Sequence, residues 1–220
     1  ITMVITSSRF WKQTASLTVT VAVVGFFGVS LAEPATSTAQ NDSTSFTASL
    51  TVDEQITVSS GADIDMSPNL GVGSDTSTGN TTLTVETNAD AGYTLAVKAG
   101  SDPALQGDGG QDNFADYSPS SSNTPDAWSV DSNSKEFGYA AYGDDVSDFN
   151  NGSSCSDNDP ANHNVHYEGF ATTDEDIASN SGSTADGGNV TTFCVAAEQN
   201  GVEAESGGYT ASLTATATTN

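Results

Sequence analysis

The sequence predicts an all-β fold, an antiparallel β-sandwich behind an N-terminal hydrophobic segment. Three observations predict it. Apolar residues recur with period two, interleaved with Thr and Ser, which is the pattern of half-buried strands. The intervening stretches are filled with Gly, Ser, Asn and Asp, which favour turns. No stretch after the first 39 residues carries an apolar stripe at helical spacing.

The elements follow in chain order. Arg9 and Lys12 precede the apolar run Ala15 to Ala32, and small residues follow at Ser30-Leu31-Ala32 and Ser37-Thr38-Ala39. A basic region, an apolar region and a small-x-small exit describe a secretory signal peptide, cleaved after Ala32 or Ala39. A retained hydrophobic helix is the alternative for residues 1–39. Residues 40–220 then form one domain, long enough for a core of its own. Phe46, Ala48, Leu50 and Val52 alternate with Thr47, Ser49 and Thr51, and Ile56 and Val58 follow. Leu83 and Val85 alternate with threonines, as do Tyr93, Leu95 and Val97 with Thr94, Ala96 and Lys98. Between them, residues 87–92 (TNADAG) predict a hairpin loop. Further strands are expected at 127–130, 137–142, 165–171 and 190–196. The C-terminus has the longest alternation, with Tyr209, Ala211, Leu213, Ala215 and Ala217 on one face and Thr and Ser on the other. Acidic, turn-rich loops fill 100–126, 143–164 and 172–188.

Charge bounds the function. Four Lys+Arg stand against 29 Asp+Glu, for a net charge of −25. If cleavage follows Ala39, only Lys98 and Lys135 remain as basic residues. Nucleic-acid binding rests on Lys and Arg neutralising phosphates, so that partner is excluded; an anionic membrane surface is disfavoured likewise. Self-repulsion of this size opposes compaction. Concentrated salt removes most of it, since the screening length falls to ~3 Å at 1 M. Near-absence of basic residues therefore points to life in high salt.

Cys155 and Cys194 are the two cysteines. In an exported chain they form one disulfide. A metal site using His163 and His166, which lie between them, is the alternative, but neither cysteine belongs to the paired spacing that zinc sites use. Asn41, Asn80, Asn151 and Asn189 each open an Asn-x-Ser/Thr sequon and are glycosylation candidates.

Catalytic signals are missing. The two histidines lie in one segment, no GxSxG elbow occurs, and no Gly-rich stretch ends in GK[ST]. The chain is therefore expected not to be an enzyme and to need no cofactor, with Ca²⁺ as a possible ligand and surface glycans as possible partners. Asp108, Asp112 and Asp116 recur at four-residue spacing in a Gly-rich loop, which suits Ca²⁺, although a solvated acidic loop is the default reading. Asp144, Asp145 and Asp148 cluster too, as do Asp174, Glu175 and Asp176. Trp128 with Tyr139 and Tyr142 suggests either a carbohydrate platform or core packing.

The order of patterns, from residues 44–52 (TSFTASLTV) through 81–85 (TTLTV) and 92–97 (GYTLAV) to 207–217 (GGYTASLTATA), resembles secreted β-sandwich proteins of pilin type. Spore-coat-U-like and chaperone–usher subunits are among them. Residues 87–95 also resemble a phrase in surface proteins of small-genome bacteria. Those pilin-type proteins place a cysteine near the position of Ile56, where this chain has none. The resemblance implies an Ig-like or pilin-like sandwich at the cell surface that polymerises with copies of itself by lending a strand. Phe46, Ala48, Leu50 and Val52, within residues 41–52, are the natural donor. The expected function is a subunit of an extracellular filament or surface layer of a halophilic prokaryote. The alternative is a cell-surface adhesin or a module binding Ca²⁺ or glycans.

Overall fold

The computed structural model describes residues 40–220 except 74, 121–123, 150–154, 156–158 and 163–164. The leader expected at 1–39, Asn151 and His163 lie outside the described residues. The chain divides into residues 1–49 and a compact unit, 50–220. Residues 40–49 are exposed and without regular structure.

The compact unit is all-β, and no α-helix occurs among the described residues. Its strands are β1 (Ile56–Ser60), β2 (Asp75–Thr87), β3 (Tyr93–Ala99), β4 (Gln106–Gly107), β5 (Ala115–Asp116) and β6 (Ser134–Tyr142). A 3₁₀ turn at Pro160–Asn162 follows. Then come β7 (Glu168–Gly169), β8 (Glu175–Asn180), β9 (Asn189–Asn200), β10 (Tyr209–Thr210) and β11 (Leu213–Thr219). The larger sheet runs β1-β2-β9-β6-β5, with β7 also on β6; a second sheet runs β11-β3-β8, and β10 pairs β4. Pairing is antiparallel except between β5 and β6, which are parallel. The expectation of a wholly antiparallel fold fails there.

Alternation does the folding work. Leu83 and Val85 of β2, Phe137 and Tyr139 of β6, and Phe193 and Val195 of β9 face one core. Leu95 and Val97 of β3 and Ile177 of β8 enter the same cluster from the second sheet. The Cys155–Cys194 disulfide forms, closing a loop with a sequence separation of 39 and a Cα–Cα distance of 6.1 Å. Both cysteines are buried. Closing such a loop contributes up to about 4 kcal/mol in the chain-entropy model.

Three expectations need correction. Residues 87–92 are not a hairpin loop. β2 is flanked by β1 and β9, and β3 by β11 and β8, so the turn carries the chain from one sheet to the other. Residues 127–130 form no strand, and of 165–171 only β7 does. Residues 172–188, expected as loop, contain β8.

The sheet-crossing turn depends on Gly92. Its φ is +83°, its N–H donates to the Ala89 carbonyl, and a Cβ there would run into the Asn180 backbone carbonyl. Gly92→Ala is expected to destabilise the fold by about 2–3 kcal/mol, combining a disfavoured conformation with a backbone clash. Chemical denaturation in concentrated salt measures it; an unchanged midpoint would contradict this account of the turn.

Candidate functional site

The compact unit carries a groove of about 1470 Å³. It runs between residues 60–72 on one side and 203–215 on the other. Its floor is the shared core: Leu83, Phe193 and Val195 from the larger sheet, Val97 from β3. Leu213 and Ala215 of β11 line the second wall, both half-buried. Ile64, Met66 and Leu70 cover part of it from an irregular segment. The bonds that hold that segment include Gly61 N–H to the Thr82 carbonyl, Thr81 Oγ1 to the Ala62 carbonyl, a two-way bridge between Ser67 and Thr78, and Gly71 N–H to Asp75 Oδ2. Gln199, wholly buried, closes one end. Its Nε2 donates to the carbonyls of Gly71 and Gly73, and its Oε1 accepts from Ala204 N–H.

The groove opens where both sheets end unpaired. β1 pairs only β2 and β11 pairs only β3. The two edges run side by side with no ladder between them. Neither carries a charged residue or a proline: β1 reads ITVSS and β11 reads LTATATT. The opposite edges do carry charge. β8 has Glu175 and Asp176, β5 has Asp116 and β7 has Glu168. Charge on an edge strand deters pairing with another chain. This protein has it on one side of both sheets and lacks it on the other.

The residues expected as donor are exposed. Phe46 is 91 %, Leu50 89 % and Val52 71 % accessible, and residues 40–55 form no strand. Alternation there predicts a strand, but none forms among the described residues. The root of this arm is held. Asn88 accepts from Gln55 N–H at 2.7 Å through Oδ1 and donates from Nδ2 to the Asp53 carbonyl at 2.9 Å. Thr87 Oγ1 and Asn88 N–H both donate to the Gln55 carbonyl. These bonds prolong the β1–β2 pairing past its last pair, Ile56↔Thr87. Asn88 had no signal in the sequence beyond its place in a turn.

The other expected sites disperse. Asp108 accepts from Thr210 Oγ1, Asp112 offers its backbone carbonyl to Lys135, and Asp116 accepts from Ala104 N–H. Each serves a different element. Among the described residues no three His, Cys, Asp or Glu converge as metal ligands. The expected Ca²⁺ site at Asp108, Asp112 and Asp116 is therefore not brought together. Asp145 instead anchors β3 to β9, accepting from Tyr93 OH and Asn189 Nδ2, each at 2.6 Å. Asp174 pairs with Lys98 at 3.2 Å. Among the sequons, Asn41 and Asn80 are exposed and Asn189 is half-buried. Trp128 is no surface platform: it stacks on Tyr117 at 4.6 Å and donates from Nε1 to Glu198 at 2.6 Å.

No family model, curated protein or solved structure matches this chain.

Several carboxylates are held at a cost. Burial raises the Glu168 pKa, and Glu175 and Asp148 add repulsion. The neighbouring Tyr139 hydroxyl is buried without a hydrogen-bond partner, and burial with the same glutamates raises its pKa. Burial likewise raises Glu198 and Asp116. A carboxyl whose folded pKa lies above its unfolded value binds more protons folded than unfolded. It favours the fold at low pH, and that contribution is lost as pH rises through the folded value. The window for Glu168 therefore begins near its ordinary value of 4.5 and extends upward. Glu168→Gln is expected to raise the thermal midpoint at pH 7. Partial exposure holds the gain to on the order of 1 kcal/mol, about 2–4 °C for a chain of this size. Melting curves from pH 4 to 7 check this; the variant's advantage should vanish at the acid end.

Proposed function

We propose that this chain is a structural subunit, not an enzyme, of an extracellular filament or surface layer of a salt-loving prokaryote. In this reading it is an exported β-sandwich of pilin-like build that assembles with its own copies through β-strand donation. One observation carries the reading: an alternating, exposed, unpaired segment accompanies two sheets that each end in an uncharged edge on the same side. Strand addition satisfies such edges with main-chain hydrogen bonds and seats alternate side chains in pockets.

The magnitudes are compatible. Burying Phe46, Leu50 and Val52 contributes about 1.5–3 kcal/mol each. Association of two bodies costs about 4–15 kcal/mol, so the backbone ladder along an edge must supply the surplus. Export is supported by the disulfide and by the small-x-small sites after the apolar leader. Life in salt is supported by a net charge of −25 met, among the described residues, by the half-exposed Lys98–Asp174 ion pair alone. An exposed pair of that kind is worth roughly 0–1 kcal/mol.

The test uses the full chain. Phe46→Ser with Leu50→Ser is expected to abolish filaments or sheets in negative-stain electron microscopy while leaving the melting temperature of the monomer within about 2 °C, since both residues are exposed. Undiminished assemblies would sink strand donation by this segment. Separately, lowering salt from 1 M to 0.1 M lengthens screening from ~3 to ~10 Å and is expected to loosen the assembly, read by light scattering. Assemblies that survive dialysis into water would remove the halophilic reading.

A further inference from the structure

We infer that the seam between β7 and β8 holds a hard divalent cation such as Ca²⁺, bound by Glu168 and Glu175 over the buried hydroxyl of Tyr139. The inference goes beyond strand donation and does not depend on it. The seam lies on the side of both sheets away from β1 and β11, and it shares no residue with the acidic loop at Asp108, Asp112 and Asp116.

Strand register places the two carboxylates. Residues directly opposite each other on paired strands share a face. Glu168 of β7 is opposite Tyr139 of β6, and Tyr139 is opposite Val195 of β9. Val195 is on the face turned to the second sheet, where it lines the groove floor together with Val97 of β3. Glu168 therefore points between the sheets. Glu175 of β8 is opposite Val97, so it points between the sheets as well. Both glutamates are half-buried, whereas Asp176, next along β8, is exposed. β7 is an outer strand of one sheet and β8 of the other, and no ladder joins them. The chain crosses from one to the other through residues 170–174, so the two carboxylates face one short seam.

The hydroxyl beneath them is an independent observation. Tyr139 is 1 % accessible, and its oxygen has no hydrogen-bond partner among the described residues. Buried hydroxyls are ordinarily satisfied by protein, water or an ion. The ring neighbours Phe149, Phe170 and Phe193 offer this one nothing. Burial, then Glu168 and Glu175, push the phenol upward in pKa; burial, then Glu175 and Asp148, do the same to Glu168. The phenol and both carboxylates thus share one negative neighbourhood. No base answers it. The nearby ion pair, Lys98–Asp174, uses Asp174 of the crossing. Glu175 accepts only from Thr173 Oγ1, at 3.3 Å.

The donor set selects the ion. Two carboxylates and a phenol are all oxygen, which suits hard cations and not metals that favour nitrogen or sulfur. Ca²⁺ takes about six to eight oxygens in irregular geometry and accepts water among them. A third carboxylate is not required, in agreement with the absence of any three-carboxylate group among the described residues. The cation turns a repulsion between like charges into a bridge, and it joins the two sheets where no backbone ladder does.

The experiment is thermal melting of the full chain at pH 7 in 1 M NaCl, where screening to ~3 Å suppresses weak binding to exposed acids. Ca²⁺ at about a hundredfold over its dissociation constant is expected to raise the midpoint by roughly 5–10 °C relative to chelator. Glu168→Gln and Glu175→Gln should each remove most of that rise, and Glu168→Gln in chelator should melt no lower than the parent. Asp90→Asn with Asp131→Asn removes charge from exposed positions elsewhere and should leave the rise intact. Tb³⁺ is the second probe: Tyr139→Phe should remove most of the tyrosine-sensitised emission that Ca²⁺ competes away. No rise with Ca²⁺ would overturn the inference. So would a rise that survives Glu168→Gln, or one abolished equally by the Asp90 and Asp131 changes, since Ca²⁺ would then act as a general screen. A rise lost in both glutamate variants, with Tb³⁺ emission unmoved by Tyr139→Phe, would overturn the phenol as a ligand and leave the carboxylate site standing.

Discussion

The ladder between β2 and β9 runs from Asp75↔Gln199 to Val85↔Asn189, and most of the structure is referred to it. β6 pairs the other side of β9 over nine residues, Ser134↔Asn200 to Tyr142↔Thr192. Cys194 sits in the middle of β9, so the disulfide ties the long acidic segment around Cys155 to the most heavily paired strand. Gln199 at one end of β9 holds residues 71–73, and Asn189 at the other meets Asp145. The ladder is saturated on the β9 side. On its other side β2 is paired by β1 only over Leu83–Thr87, apart from the bridge at Thr78. The groove begins where that pairing stops, so its position is a consequence of β1 being five residues long beside a strand of thirteen.

Polar side chains complete what the ladders leave undone. Asn88 stands in for a peptide beyond β2. Tyr117 OH does the same for residues 127–129, donating to the Ala127 carbonyl and accepting from Ser129 N–H, while Asn200 Nδ2 donates to the Val130 carbonyl. These bonds are uncharged. A chain with so few basic residues cannot compensate buried carboxylates by ion pairing, and its partly buried acids are accordingly pushed upward in pKa. Neutral amides and hydroxyls carry the organisation that salt bridges carry elsewhere.

The strand pattern in the sequence marks where β1, β3, β6, β9, β11 and the second half of β2 form, but burial alternates strictly only along β11 and the second half of β2. It does not report a hydrogen-bonding partner. Ala127–Val130 alternates in burial yet pairs with side chains rather than a strand, and Phe46–Val52 alternates in sequence yet forms no strand among the described residues. The converse failure is β8. A bulge between Leu95 and Ala96 leaves Ile177 and Ala178 both buried in succession, so no period of two survives in residues 174–180, and the acids around them read as loop. The first half of β2 is hidden for another reason: its buried residues are Ser77 and Thr78. Of the candidate site, the arm was legible because it is local in sequence. The groove was not, because it lies between strands more than a hundred residues apart, and Asn88 and Gln199 are single polar residues whose roles exist only once those strands meet.

A strongly acidic chain narrows the ways in which copies of it can associate. Electrostatic complementarity is unavailable, since an interface drawn from 29 acids and four bases meets like charge with like. Apolar patches on an open surface would be vulnerable to nonspecific association in any salt concentrated enough to screen the charge. Main-chain pairing escapes both problems. It needs no counter-charge, it is directional, and it hides apolar side chains only when register is met. The distribution of residues agrees with that logic: acids on β8, β5 and β7 deter pairing at the far edges, while β1, β11 and the arm are left neutral. In the reading proposed above, charge placement selects the edge at which a neighbour joins, and the screening supplied by salt sets whether it stays.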